Sequence, residues 1–178
     1  MKKIKLLLVS LFLLTLNSFG QTDFKWDKID SVSKNKTEIY TLTKMYIAET
    51  WKSAQDVIQN DDKEGGVILI KGISIKNLYF QMNDHRWTFS YTVKFMFKDN
   101  KYRILVDNVY CQSARCRQYE WALMPVADKY PSKKGLGITN LNEERYLDLM
   151  KLLKYELQTI VDGYGIYLNT NSINKSNW

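Results

Sequence analysis

Several features that would indicate catalysis or a membrane protein are scarce or missing in this sequence. The single histidine, His85, has no acid at a spacing that would orient it as a base, and Ser74 lies outside a Gly-x-Ser-x-Gly motif. No Gly-x-x-x-x-Gly-Lys-Ser/Thr phosphate loop occurs. After the first twenty residues, no apolar run reaches the roughly 20 residues that span a bilayer. The sequence therefore favours a protein without catalytic machinery, and it implies no cofactor and no metal.

Residues 1–20 have the pattern of a secretory signal peptide. Three lysines precede an apolar run from Leu6 to Leu16, and the small residue Gly20 stands at the expected cleavage position. The apolar run is about half as long as a membrane anchor requires. We therefore expect cleavage after Gly20, export to the periplasm or the cell exterior, and no transmembrane segment in the mature chain.

Removal of this leader lowers the positive charge, because the leader carries three lysines and no acid. The 158 mature residues retain 23 basic and 19 acidic side chains, a net charge of +4. Basic runs such as Lys133-Lys134 are short, so the charge does not form a nucleic-acid footprint. A chain of this length suits one domain, which we place at residues 21–168, followed by a polar, flexible tail at 169–178.

Two amphipathic helices are predicted, one on each side of a group of strands. Asn35 precedes Glu38 at capping-box spacing, and apolar residues recur at helical intervals after it. A second apolar stripe begins after the predicted cap Asn140, and we expect Gly163 and Gly165 to end that helix.

The clearest strand pattern is the alternation of apolar and polar residues from Trp87 to Lys98, followed by Asp99-Asn100 and a second strand at 102–110. A two-residue turn would pair residues whose numbers sum to 199, so that Phe95 faces Ile104. A slip by one residue would bury charged side chains of the second strand.

Further strands are expected at Val57-Ile58 and at 67–75, and a weak edge strand within residues 21–34. Together the elements predict an α+β fold. It is a two-layer sandwich with an antiparallel sheet of about five strands, two helices on one face, and the other face open.

Two phrases carry a resemblance to a known family. They are Lys-Ser-Ala-Gln-Asp-Val-Ile-Gln at residues 52–59 and Asp-Lys-Glu-Gly-Gly at residues 62–66. The stretch from Trp26 to Ile160 resembles domain of unknown function 4468, a bacterial secreted family with a TATA-binding-protein-like fold. Ala is usual in that family where Gly65 stands, and a Lys often follows where this chain has Val67. The resemblance implies a strand, helix, four-strand, helix core and transfers no catalytic residues.

Two local clusters remain open to chemical interpretation. The acidic segment from Asp61 to Gly66 lacks the alternating oxygens of an EF-type calcium loop, so we interpret it as a hairpin turn. Cys111 and Cys116 could form a disulfide in an oxidising compartment, remain free, or join His85 in a metal site. Continuing the hairpin register would bring His85 opposite Ala114.

The outward face of the predicted hairpin is the candidate binding surface. The same register pairs Ser90 with Val109 and Phe89 with Tyr110, and it leaves apolar residues where water is expected. The candidate residues are Lys94, Met96, Arg103, Leu105 and Val109. Either the connection at 112–138 covers this surface, or the surface binds a partner.

Two functions follow from these alternatives. One is a non-enzymatic binding or interaction module that uses the open sheet face to bind an envelope protein or glycan, but no nucleic acid. The other is an envelope enzyme or small-ligand protein with a site in residues 112–138, involving His85, Tyr119 or Asp128.

Overall fold

The structure, a computed structural model, describes residues 24–80, 83–112, 124–126 and 141–173. For residues 80, 83–85 and 124–125 it describes the backbone alone. In chain order the elements are β1 (Trp26–Ser31), α1 (Lys36–Thr50), α2 (Ala54–Val57), β2 (Ile58–Asp62), β3 (Val67–Phe80), β4 (Asn83–Lys98), β5 (Lys101–Cys111), β6 (Met124–Pro125) and α3 (Glu143–Thr170).

All paired strands are antiparallel and form one sheet with the order β1-β5-β4-β3-β2. The two-residue strand β6 also pairs with β5, at Tyr110 and Cys111, beyond the end of β1. The helices α1 and α3 pack on one face of this sheet. The predicted α+β sandwich is therefore confirmed, and the short helix α2 is an addition that the sequence pattern did not show.

The core lies between the sheet and the two long helices. Alternate residues of the central strands, such as Phe95 on β4 and Ile104 on β5, are fully buried. Tyr164 of α3 meets the Phe95 ring at 4.8 Å and the Tyr102 ring at 5.1 Å, both edge to face. Its hydroxyl also makes a 2.8 Å hydrogen bond with Thr43 of α1, so aromatic packing joins α3 to the sheet and a buried polar contact joins it to α1.

The first helix begins where the sequence predicts. The Asn35 side chain accepts a hydrogen bond of 2.9 Å from the Glu38 backbone N–H, which satisfies one of the free donors of the first turn. After α1, the Trp51 indole donates a 3.1 Å hydrogen bond to the Tyr91 hydroxyl. Val57 was expected in a strand, but it closes α2, and β2 starts one residue later.

The prediction that Gly163 and Gly165 end the last helix is wrong, because α3 continues through both to Thr170. A Cβ on Gly165 would lie 2.4 Å from the Tyr102 hydroxyl oxygen, and one on Gly163 would lie 3.3 Å from that of Tyr46. The glycines therefore allow the helix to approach two core tyrosines closely, and this tertiary contact outweighs the weak helix propensity of glycine.

The cap of α3 is Asn142, whose side chain accepts a 3.1 Å hydrogen bond from the Arg145 N–H; the predicted cap, Asn140, lies outside the described residues. Since the helix reaches Thr170, the first residues of the predicted flexible tail are helical. The predicted signal peptide also lies outside the described ranges. None of the helices in the described part of the chain has the length and apolar character needed to cross a membrane.

Candidate binding surface

The predicted β4–β5 hairpin is confirmed near its turn. Asn100 has a positive φ of 59°, and the pairing from Lys98 with Lys101 to Thr92 with Asp107 follows the predicted register. Phe95 and Ile104 are both fully buried. Lys94, Met96, Arg103 and Leu105 therefore share the face that is turned away from the helices.

The register prediction is wrong beyond Thr92, because β5 contains one extra residue there. Asn108 has a φ of 52°, and the pairing shifts so that Ser90 faces Tyr110 instead of Val109. Two β5 residues thus oppose Tyr91, which is a β-bulge. Val109 is only 4% exposed and does not belong to the predicted surface.

Neighbouring strands extend the surface into two rows that cross the sheet. The first row consists of residues that pair directly from strand to strand: Ile29 on β1, Arg103 on β5, Met96 on β4 and Val67 on β3. The second row consists of Asp27, Leu105, Lys94 and Leu69, on the same four strands in the same order. We call these eight residues the open-face surface. Directly paired residues of a sheet point to the same side, so the rows place four sequence-predicted residues in one continuous patch.

The first row forms the floor of a shallow groove of about 420 Å³. The described residues that line it are Ile29, Gly65, Gly66, Val67, Met96, Phe97, Lys98, Lys101, Tyr102 and Arg103. Ile29 is 56% exposed, although it is a large apolar residue. The lining combines an apolar floor with three cationic side chains.

Arg103 is held in place by Asp27 across the β1–β5 pair. Its Nε and a terminal nitrogen donate to the two carboxylate oxygens of Asp27 at 2.8 and 2.6 Å. This bidentate hydrogen bond lowers the pKa of Asp27 against the opposing effect of desolvation, and the charge of Arg103 adds a smaller lowering effect. The guanidinium is therefore oriented by Asp27, and part of the Arg103 side chain is still exposed to solvent.

A separate notch of about 190 Å³ interrupts the sheet edge between β1 and β6, where the bulge lies. Asp107 lines it, and burial raises the pKa of this carboxyl, while Lys25 and Lys94 oppose that shift. The Asn108 side chain donates a 3.0 Å hydrogen bond to Asp107. Lys94, a residue of the open-face surface, therefore also acts electrostatically on the notch.

The acidic turn has the structural role that the sequence predicts. Asp62 accepts a 2.7 Å hydrogen bond from the Gly65 N–H, and Gly66 has a positive φ of 69°. Asp61 instead forms a 2.6 Å ion pair with Lys44. Asp61 and Asp62 thus make contacts within the fold, and no metal-binding group of three or more His, Cys, Asp or Glu residues occurs in the described ranges.

The remaining predicted residues do not form a site among those described. The backbone of His85 belongs to β4 and pairs with Leu78 of β3. Ser74 donates a 2.8 Å hydrogen bond to Glu156 of α3 and is 2% exposed. Cys111 is buried at the end of β5. Cys116, Ala114, Tyr119, Asp128 and most of the 112–138 connection lie outside the described residues, so the proposals that involve them stay predictions.

Sequence reasoning missed the contributions of β1 and β3 to this surface. Ile29, Val67 and Leu69 join it only through the strand order, because β1 pairs with β5 across a long chain separation. Both faces of β1 carry charged residues, with Lys28 and Asp30 on one face and Asp27 on the other. The sequence of β1 therefore did not reveal which face is buried.

Comparison with known proteins supports the fold. The family model described as domain of unknown function (DUF4468) with TBP-like fold matches residues 26–112. The chain is similar in structure to a DUF4468 family protein from Bacteroides ovatus, with 13% identity, a TM-score of 0.59, and coverage of 85% of this chain and 90% of that one.

It is also similar to a TBP-like protein from Parabacteroides distasonis, with 14% identity, a TM-score of 0.60, and coverage of 85% and 95%. Among curated proteins, no sequence matches the chain. At these identities the structural similarities establish the fold and carry no function.

Proposed function

The chain belongs, through residues 26–112, to the DUF4468 family with a TBP-like fold, and we propose that it is an exported, non-enzymatic interaction module. Its open-face surface binds a partner protein of the cell envelope. The family description assigns no activity, so the proposal depends on the site alone. The leader-like pattern of residues 1–20 supports export.

The observation that carries the proposal is the exposed apolar floor of the groove. Ile29 is 56% exposed, and it lies in one row with the half-buried residues Met96 and Val67. An exposed apolar patch with a polar rim is typical of a protein interaction site. The floor is part of a regular antiparallel sheet, in which Met96 and Arg103 lie on strands paired on both sides and Ile29 lies on the edge strand β1, so binding would require little ordering of the protein.

The charges at the groove indicate the chemistry of the partner. Lys98, Lys101 and Arg103 line it, and no carboxylate occurs among its described lining residues. The one carboxylate of the open-face surface, Asp27, is already bound to Arg103. We therefore expect a partner surface in which an apolar side chain is flanked by Asp or Glu residues, so that its potential complements the groove.

The test compares two variants that place the same charge at exposed apolar positions. Ile29→Glu alters the groove floor, whereas Ile166→Glu alters α3 at a residue that is 64% exposed. The tagged mature protein and both variants are used to capture proteins from an envelope extract. We expect a specific partner that binds wild type and Ile166→Glu, but binds Ile29→Glu at least about tenfold less.

The rim charges provide a second measurement. Lys98→Gln should slow association with the captured partner and reduce the salt dependence of the association rate, because rim charges act mainly on the encounter. The proposal is wrong if Ile29→Glu and Ile166→Glu retain the same partners with the same affinity as wild type. Circular dichroism of each variant checks that the fold is intact.

A further inference from the structure

Among the described strands, none pairs with the outer edge of β3 along most of its length. β2 pairs only with residues 67–70 of β3, while β4 pairs with β3 along its whole length, from Val67 to Phe80. Within the described ranges, no strand pairs with the other side of residues 71–80. In an antiparallel strand about half of the backbone N–H and C=O groups point to each side, so this edge presents a row of unused donors and acceptors.

The other sheet edges carry features that discourage strand addition. β1 is six residues long and contains three charged residues, Asp27, Lys28 and Asp30. β2 is five residues long, has an irregular register after Ile58, and ends in two aspartates. Short length, bulges and charge are the usual means by which soluble proteins protect an edge.

The free part of β3 has few of these features. Its pairing with β4 runs through fourteen consecutive pairs without a register shift, and it contains no proline. Three large side chains along it are exposed on the face away from the helices: Ile73 by 57%, Ile75 by 44% and Tyr79 by 73%. A long, regular edge that exposes apolar side chains is a template for pairing with another strand.

The strand is also held rigidly in the orientation that pairing would need. On the helix side Ser74 donates a hydrogen bond to Glu156 of α3, and Lys76 forms an ion pair with the same carboxylate. Gly72 lies directly against Tyr91, whose ring occupies the space that a Cβ would need. The edge is therefore preorganised, and a partner strand would not have to order it.

We propose that the bare edge of β3 binds the same edge of a second copy of this chain, antiparallel and centred on Ile75. Each copy then adds its strands to the other's sheet, and the twofold axis stands perpendicular to the joined sheet at Ile75. This interface is separate from the groove at Ile29, and it would hold whether or not the groove binds a partner.

The side chains favour this partner and this register. With Ile75 opposite its own counterpart, Lys71 faces Tyr79 of the second copy and Ile73 faces Asn77, so no like charges meet. Lys71 is then placed to contact an exposed tyrosine ring, a favourable cation–π arrangement. Centring the pair on Lys76 would place two lysines opposite each other, and centring it on Ile73 would run into the part of β3 that β2 already occupies.

The helices of the two copies do not obstruct this pairing. Directly opposed residues in an antiparallel pair point to the same side. Because Ile75 faces its own counterpart, the helices of both copies lie on one side of the joined sheet, and the helix layers do not block the approach. The interface is isologous, the usual form of a twofold homodimer.

The first test measures the oligomeric state of the mature protein by sedimentation velocity over the micromolar range. We expect a monomer–dimer equilibrium. Ile75→Lys should weaken dimerisation by about tenfold or more, because two lysines then face each other across the axis. The matched control Ile166→Lys changes an exposed apolar residue on α3 and should dimerise as wild type does. A wild type that stays monomeric, or an Ile75→Lys variant that dimerises normally, would overturn the proposal.

The second test examines the register by cross-linking. Ile75→Cys should form a covalent dimer under mild oxidation, since each new thiol faces its counterpart. Asn77→Cys should not, because it faces Ile73 of the second copy. Equal cross-linking by both variants, or cross-linking by Asn77→Cys alone, would rule out the register. Ile29→Glu should leave the dimer intact, which separates this result from the test of the groove.

Discussion

Gly165→Ala should destabilise the protein, although alanine is the better residue in a helix. Gly165 lies inside α3, where replacing glycine by alanine ordinarily stabilises by about 1 kcal/mol. Here, however, the new Cβ would lie 2.4 Å from the Tyr102 hydroxyl oxygen, closer than atoms in contact can be. The Tyr102 side chain is 1% exposed and packs edge to face on Tyr164, so it has little room to move.

The two effects can be compared in magnitude. Overpacking a well-filled core costs about 1 to 3 kcal/mol, since side chains or backbone must shift. After the gain in helix propensity, we expect the free energy of unfolding to fall by about 1 to 2 kcal/mol. Gly163→Ala is the matched control, because its Cβ would lie 3.3 Å from the Tyr46 hydroxyl and needs only a small adjustment. It should be close to neutral.

Tyr102→Phe identifies the clashing atom. Burial, followed by the charge of Asp30, raises the pKa of Tyr102 to about 12, and its buried hydroxyl has no hydrogen-bond partner among the described residues, so removing it should cost little. In the double variant the nearest ring atom to the new methyl group would be at 3.6 Å, an ordinary contact. We therefore expect Tyr102→Phe to restore stability to Gly165→Ala, with a coupling energy of about 1 kcal/mol or more.

Urea unfolding monitored by circular dichroism gives the free energies of unfolding of wild type, the two single variants Gly165→Ala and Tyr102→Phe, and the double variant. The interpretation of the glycine fails if Gly165→Ala is more stable than wild type. It also fails if the double variant is no more stable than Gly165→Ala, because the helix would then avoid Tyr102 by some other movement.

Four further predictions follow from individual contacts. Asp27→Asn should lose the stability that the Asp27–Arg103 ion pair contributes. Since the pKa of Asp27 in the folded protein is lowered from 3.8, the variant should be less stable than wild type at pH values above 3.8, and this difference should shrink as the pH falls below 3.8, as measured by urea unfolding. Burial raises the pKa of Tyr46 and Tyr91 to about 12 from 10.0, so wild type should lose stability as the pH rises from 10 towards 12, and Tyr46→Phe should reduce that loss. Asn108→Gly should be at least as stable as wild type and Asn108→Ala less stable by about 1 kcal/mol, because φ is 52° there. With a disulfide between Cys111 and Cys116, the oxidised, denatured protein should take up no alkylating reagent, and reduction should lower the free energy of unfolding by about 2 kcal/mol.

The central hairpin could be predicted because local sequence determines it. Alternation along residues 87–98 assigns each side chain to a face, and Asp99-Asn100 fixes the turn, so the pairing is right as far as Thr92 with Asp107. The prediction failed at Asn108 because apolar alternation resumes after it in the opposite phase, with Val109 and Cys111 buried. A pattern of period two does not show where one residue is inserted.

The glycines of α3 illustrate a different limit. From the sequence, Gly163 and Gly165 resemble helix ends, because glycine is common there. Their actual role depends on Tyr46 and Tyr102, which are more than sixty residues away in the chain. Contacts at such separations depend on the packing of α3 across the sheet, and no local pattern contains them.

The groove and the bare edge of β3 differ in how much of each the sequence could reveal, and strand order is the reason. Met96 and Arg103 are directly opposed in one hairpin, so local register brings them together. Ile29 reaches them only because β1 pairs with β5. Residues 71–80 are unpaired on one side, among the described strands, because the pairing of β3 with β2 stops at Ile70. The groove and the edge at residues 71–80 each expose their own apolar side chains and share no residue. A variant that disrupts the groove should therefore leave dimerisation through the edge intact, and the two binding events should be independent unless one partner contacts both surfaces.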